Sequence, residues 1–254
     1  MKRKLTQLSA ILVFLFALPM ATFAASYPLY LCGGATANLK PDPAVEAALA
    51  VGDQVMWQEF QTDGTTPIGT AVSLPVTVAG TAPAFTTATS LATGEHTYKV
   101  FVISASPNTC TGDVSDPFKL YVLPSSSVSL GAPSNANYCE AASGTNQSSV
   151  ITATASPAID PSLSDVSYTY TWTATKDAAA VADITTIGSQ ATNVFTLNTT
   201  AKGSYVFTVG IKYTIAAGQG TLKSADNNGC VQTSSPSTPV VVTPKPGKPS
   251  ITFS

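Results

Sequence analysis

The chain has little charge and lacks most of the side chains on which polar catalysis depends. Only 10% of its 254 residues are charged, against roughly 25% in an ordinary soluble domain. Arg3 is the one arginine and His96 the one histidine. Without arginines or a basic stripe, the sequence argues against nucleic-acid binding and phosphate clamping. A hydrolase triad would need His96 as its base. That residue sits in Gly94-Glu95-His96-Thr97-Tyr98, a strand start where a solvent-facing imidazole is expected, and no G-x-S-x-G elbow accompanies it. The acids are scattered through turns, among them Asp63, Asp113, Asp160 and Asp226, and not paired as glycoside cleavage requires. Asp42, Asp53, Asp160 and Asp165 could meet around calcium between loops, but no segment has the alternating acidic spacing of a dedicated loop. There is no C-x-x-C, so zinc is not expected either. The reading is a non-enzyme with no catalytic residue, cofactor or metal site.

Long apolar runs are also missing, except at the start. Lys2-Arg3-Lys4 precedes an apolar stretch from Leu8 to Met20 and the small-residue run Ala21-Thr22-Phe23-Ala24-Ala25. This is the layout of a secretory signal peptide, residues 1–24, cleaved after Ala24. Pro19 interrupts the stretch, which falls short of the roughly 20 residues a membrane span needs. No transmembrane span is expected in the mature chain. Lipidation at Cys32 is disfavoured because Leu31 stands where a small residue is required. Without the leader's three cations, nine basic residues face fourteen acidic ones, a net charge of about −5.

What remains is 44% apolar, enough for packed cores, and long enough for two domains of about 100 to 120 residues. The chain repeats itself at a period of about 110 residues. The first repeat runs Cys32, Trp57, Tyr98, Cys110; the second runs Cys139, Trp172, Tyr205, Cys230. Each Trp and each Tyr lies on an apolar/polar alternation. Val166-Ser-Tyr168-Thr-Tyr170-Thr-Trp172-Thr173 has the period of two that a half-buried strand requires. Tyr205, Phe207, Val209, Ile211 and Tyr213 share a second such face, and Val55 with Trp57, and Tyr98 with Val100 and Val102, do the same in the first repeat. Asp63-Gly64 predicts a hairpin between the Trp57 strand and Ile68–Val78. The one helical candidate is Pro43–Val51, with Asp42 as N-cap and Gly52 as its stop. Pro124–Ser127 is the linker, between domains at 25–123 and 128–243. Residues 244–254 are a Pro-rich tail or the opening of a truncated third repeat, because Ser250-Ile-Thr-Phe resembles Ser127-Val-Ser-Leu.

Cys-Gly-Gly-x4-Leu from Cys32 to Leu39, Trp57, Tyr98 and the following Cys110 resemble the Ig-like repeats of bacterial surface and secreted proteins. Tyr170-Thr-Trp172 and Gly203-Ser-Tyr205-Val-Phe-Thr-Val resemble their PKD-like relatives. The resemblance implies antiparallel β-sandwiches used as extracellular spacers or adhesion modules, with Trp57, Tyr98, Trp172 and Tyr205 as core aromatics. The aromatic-Gly-Asp-Gly signature of PKD domains is absent after Trp172, and no Cys falls two residues after either Tyr, so the usual inter-sheet bridge is not expected.

The overall expectation is an all-β protein of two tandem Ig-like sandwiches, secreted or at the cell surface, whose partner would be an unidentified surface protein or glycan. The rival readings are a carbohydrate-binding module, with Trp57 and Trp172 as stacking platforms, or the accessory region of a secreted hydrolase. Asn146-Gln-Ser148 and Asn198-Thr-Thr200 fit the N-glycosylation pattern in a host with that machinery. An even number of Cys in an oxidising compartment predicts two disulfides. Repeat logic pairs Cys32 with Cys110 and Cys139 with Cys230. The competing arrangement joins Cys110 to Cys139 and leaves Cys32 and Cys230 free or paired. The export reading predicts that N-terminal sequencing of secreted material begins Ala25-Ser26-Tyr27; a mature extracytoplasmic protein that keeps Met1 would refute it.

Overall fold

The computed structural model describes residues 26–105, 107, 109–139, 147–244 and 249–252. The leader, Asn146 and the run 245–248 lie outside the described residues. The strands in chain order are β1 (Leu29–Cys32), β2 (Asn38–Leu39), β3 (Gln54–Phe60), β4 (Pro67–Pro75), β5 (Phe85–Thr86), β6 (Gly94–Ile103) and β7 (Phe118–Val122), with helix α1 (Pro43–Ala48) before β3. They continue as β8 (Ser127–Leu130), β9 (Asn137–Cys139), β10 (Ser149–Ser156), β11 (Val166–Lys176), β12 (Ala179–Ala180), β13 (Gly188–Ala191), β14 (Val194–Leu197), β15 (Gly203–Ile215), β16 (Thr221–Ser224), β17 (Gln232–Thr233) and β18 (Val240–Thr243). Among the described residues no helix is long and apolar enough to cross a membrane.

The fold is an all-β sandwich. In the N-terminal half, the sheet β1-β7-β6-β3-β4 packs over the short pair β2-β5. In the C-terminal half, β13-β14-β10-β8 faces β12-β11-β15-β18-β9. Alternation builds these layers. Along β15 the residues alternate buried and half-buried, so Tyr205, Phe207, Val209, Ile211 and Tyr213 all point inward. Its partner β11 opposes it over its whole length, with Trp172 across from Val209. The outer face of this pair is closed by hydroxyls: Thr169 bonds Thr214 and Thr173 bonds Thr208, both at 2.6 Å. Such cross-strand pairs stabilise a sheet without charge.

Two cores follow. Trp57, Tyr98, Leu120, Val55 and Leu31 fill the first, and Trp172, Tyr205, Phe195, Phe207 and Ile151 the second. Trp57 stacks on Phe85 at 5.5 Å, and Trp172 tilts against Phe195 at 5.8 Å. Tyr205 is fully buried, and its hydroxyl donates to Ala201 O at 2.8 Å. Tyr170 packs against the second core, whereas Tyr168 leaves it to stack on Tyr213.

Turn chemistry acts as the residues suggest. Asp63 accepts from Thr65 N and Thr66 N, Gln61 N closes on Thr66 O, and Gly64 takes a φ of 65°. The helix is shorter than the sequence suggests. Asp42 does cap it, accepting from Ala44 N at 2.8 Å, but it ends at Ala48, where Leu49 turns extended and buries its side chain. Gly52 belongs to the next turn, donating to Val76 O.

Both tryptophans are 4% exposed. Trp57→Ala or Trp172→Ala should therefore lower unfolding stability by roughly 3 to 5 kcal/mol in denaturant titration. An unchanged melting temperature combined with lost sugar binding would instead mark a stacking platform.

Candidate functional site

The unusual feature of the chain is where its two halves meet. Strand β1 is buried at all four positions, Leu29-Tyr30-Leu31-Cys32. Leu29 and Leu31 point into the first core. Tyr30 and Cys32 point the other way, into a third cluster with Tyr27, Leu123, Leu163, Val166 and Tyr213, which come from both halves. On one edge β1 pairs in parallel with β7, Leu29 opposite Leu120. On the other edge it pairs in parallel with β16, from Leu29 opposite Thr221 to Cys32 opposite Ser224. One sheet therefore runs continuously from one half into the other.

Close approach at this seam depends on glycine. A Cβ on Gly220 would lie 1.9 Å from Tyr27 O, inside any allowed contact. Gly33 combines a φ of +62° with only 2.9 Å between an added Cβ and the Sγ of Cys230. That sulfur forms the disulfide Cys32–Cys230. The loop presenting Cys230 is organised by Asp226, whose carboxylate accepts from the N–H groups of Asn228, Cys230 and Val231. The Ser224 hydroxyl and the Asn228 N–H hold the Asp226 carboxyl well below its usual range.

Tyrosines fill the remaining space. The Tyr30 hydroxyl donates to Asp165, 2.8 Å from each carboxylate oxygen, and accepts from Tyr27 N. Tyr27 donates to Glu95 at 2.7 Å, and Glu95 also pairs with Lys119 at 2.8 Å. Tyr213 donates to Pro124 O and accepts from Tyr168. Pro124, at the start of the sequence-predicted linker, is thus fastened to the second half. Beside this cluster lies a cavity of about 420 Å³, lined by Tyr121, Leu123, Pro124, Pro157, Ile159 and Tyr213.

The observed bridge corrects the sequence-based pairing of Cys32 with Cys110 and Cys139 with Cys230: Cys110 and Cys139 are free and exposed. The reason is geometric. Leu31 lies level with Val122, which pairs with Gly94 at the start of β6, whereas the Cys110 carbonyl accepts from Ser104 N just beyond the end of that strand. Ten residues of extended chain separate the two levels, about 30 Å, beyond the reach of any disulfide. The loop that does approach Cys32 comes from the other half.

Other sequence candidates are dispersed. Asp42 caps a helix, Asp160 accepts from Ser162, Asp53 accepts from Ala50 N and Ala105 N, and Asp165 serves Tyr30. No group of three metal-ligating side chains exists among the described residues. His96 does not face solvent: its side chain is 12% exposed, with Nδ1 2.7 Å from Glu59 and Nε2 2.8 Å from Ala92 O. Sequence reasoning missed the Tyr27, Tyr30 and Tyr213 cluster. The available signal was Leu29-Tyr-Leu-Cys, an apolar run without alternation, as expected for a strand buried on both faces.

No family profile matches the chain, and neither does any curated protein. Among solved structures it is similar to murine CEACAM1b, at 13% identity and a TM-score of 0.38, covering 85% of this chain and 96% of that one. It is similar to the FN1–FN3 domains of chicken CNTN1 at 12% identity and a TM-score of 0.37, covering 87% and 64%. It is also similar to the N-terminal eight Ig domains of Down Syndrome Cell Adhesion Molecule at 14% identity and a TM-score of 0.29, covering 86% of this chain and 25% of that one.

The junction should be sensitive to alkali. Burial raises the phenol pKa values of Tyr27, Tyr30 and Tyr213, that of Tyr30 to about 12. A folded-state value above the unfolded one, about 10, means that the stabilisation is complete below pH 10 and lost as pH rises beyond it. Thermal melts should therefore hold up to about pH 10 and fall above it, with a shallower fall in Tyr30→Phe; an identical alkaline limb in that variant would count against the assignment.

Proposed function

We propose that the chain is a non-catalytic, exported Ig-like protein that acts as a rigid spacer or surface-interaction module. Its units are residues 25–123 and 128–243, and its compartment is the cell surface or the medium after cleavage of the leader. The observation that carries this reading is the shared sheet in which β16 completes the edge of β1. Tandem domains joined by a short linker normally move relative to one another unless the interface is large and apolar. Here a strand pairing, a disulfide and a buried tyrosine cluster act together at the seam. A bridge between residues 198 apart in sequence favours an oxidising compartment, which supports export. The PKD-like character of the second unit belongs to the same proposal and rests on Tyr170-Thr-Trp172 and the Gly203–Val209 run.

The carbohydrate-module reading gains nothing from the two tryptophans, which lie in the cores and offer no exposed ring face for stacking. The test of the spacer reading uses the two exposed thiols as labelling positions. Single-molecule energy transfer between dyes on Cys110 and Cys139 should give one narrow distance distribution. Cys230→Ser with Gly220→Val should broaden it. A broad distribution in the unsubstituted chain would defeat the rigid-spacer reading, and selective binding on a glycan array would favour its rival.

A further inference from the structure

The bridge inside the chain follows a rule that the two remaining cysteines can extend. Cys32, the opening Cys of the first repeat, is bonded to Cys230, the closing Cys of the second. The opening Cys of the second repeat, Cys139, and the closing Cys of the first, Cys110, are left free and exposed. The topology places them at opposite ends of the molecule. In the C-terminal half, Tyr213 and Ile215 at the end of β15 touch the junction, while Cys139 pairs with Thr243 beyond the start of that strand. In the N-terminal half, Gly94 at the start of β6 lies toward the junction, while Cys110 lies beyond Ile103 at its end.

The free pair repeats the bonded pair in strand direction and in loop position. β9 runs parallel to β18 as β1 runs parallel to β7, and Cys139 projects from the non-core face of β9 as Cys32 does from β1. The outer edge of β1 is covered by β16; the outer edge of β9 has no strand on it among the described residues, and the Cys139 N–H there donates to Gln147 Oε1 at 3.0 Å. Cys110 and Cys230 both follow the long Tyr strand of their repeat, in loops whose carbonyls accept from its last residues: Cys110 O from Ser104 N, Gly229 O from Tyr213 N. The match has one offset. Counted from the repeat's Tyr, Cys139 occupies the register of Tyr30, two residues short of Cys32.

We propose that a second molecule of this chain meets the β9 end, joined head to tail by a disulfide between Cys139 and Cys110 of the next molecule. The rule "opening Cys to the closing Cys of the following repeat" then continues unbroken from one molecule to the next. The oxidant is a small-molecule or protein disulfide. One thiolate attacks it, forming a mixed disulfide and releasing one thiol. The second molecule's thiolate then breaks that mixed disulfide, forming Cys139–Cys110 and releasing the second thiol, so that two cysteine thiols are oxidised for each oxidant disulfide reduced.

The test incubates the full mature chain with oxidised glutathione and follows it by non-reducing gel and light scattering. A ladder of covalent multimers that collapses on reduction is expected. Cys110→Ser and Cys139→Ser should each stay monomeric alone with unchanged melting temperature, and the two mixed should give one covalent dimer and nothing larger. Peptide mapping of that dimer should recover a Cys110–Cys139 link. A wild type that remains monomeric, single variants that dimerise as readily as the mixture, or an intramolecular Cys110–Cys139 bridge would each overturn the proposal. None of these outcomes touches the spacer reading, which a rigid monomer satisfies equally well.

Discussion

A strand of four residues with no exposed side chain sets the architecture of this protein. In a sheet with one wet face, alternate residues of β1 would meet water. Here Leu29 and Leu31 are covered by the first core, so Tyr30 and Cys32 require a second cover. That cover is the other half of the chain, which brings Leu163, Val166 and Tyr213 against the outer face and β16 against the open edge. Parallel pairing normally needs a long crossover between the strands. β16 reaches β1 from far along the chain because the whole C-terminal sandwich serves as the crossover. Neither half buries its own polar and apolar groups at this seam without the other.

The same constraint explains the concentration of tyrosine. A seam between two sandwiches must bury wide apolar faces yet satisfy buried carboxylates, and a phenol does both. Asp165 is 7% exposed and lies against the Tyr30 hydroxyl. Burial would raise the carboxyl pKa of Glu95, but Lys119 and the Tyr27 hydroxyl hold it low. An aliphatic seam would take the Tyr30 hydroxyl from Asp165 and the Tyr27 hydroxyl from Glu95, and a buried acceptor that loses its donor costs more than the net gain of an ordinary hydrogen bond. Replacing the acids as well would remove the directional contacts that fix one half against the other.

The sheet elements were legible in the sequence to the extent that they alternate. The runs Val166–Thr173 and Tyr205–Tyr213 announce β11 and β15, and Asp63-Gly64 announces the turn before β4. The seam was not legible, for three physical reasons. β16 is too short for periodicity to register. Gly220 and Gly33 read as ordinary loop residues until a neighbouring backbone or sulfur stands where their Cβ would be. The cysteines mislead because a repeat invites closure within itself, whereas chain direction puts the opening and closing Cys of each repeat at opposite ends of the same strand. Cys32 and Cys230 meet only because one half's end abuts the other half's start.

The two halves are not interchangeable at the seam, and this gives the molecule its polarity. Between β15 and β18 the chain is long enough to carry β16, β17 and the Asp226 loop; between β6 and β7 it turns back through Ser104 and Cys110 with no added strand among the described residues. Among the described residues the second half therefore donates a strand, β16, and the first half supplies the edge that it completes, β1. With 10% charged residues, the chain has few surface charges with which to encode an order of assembly. Order is written instead in backbone: which loop carries a spare strand, and which edge is left open to receive one.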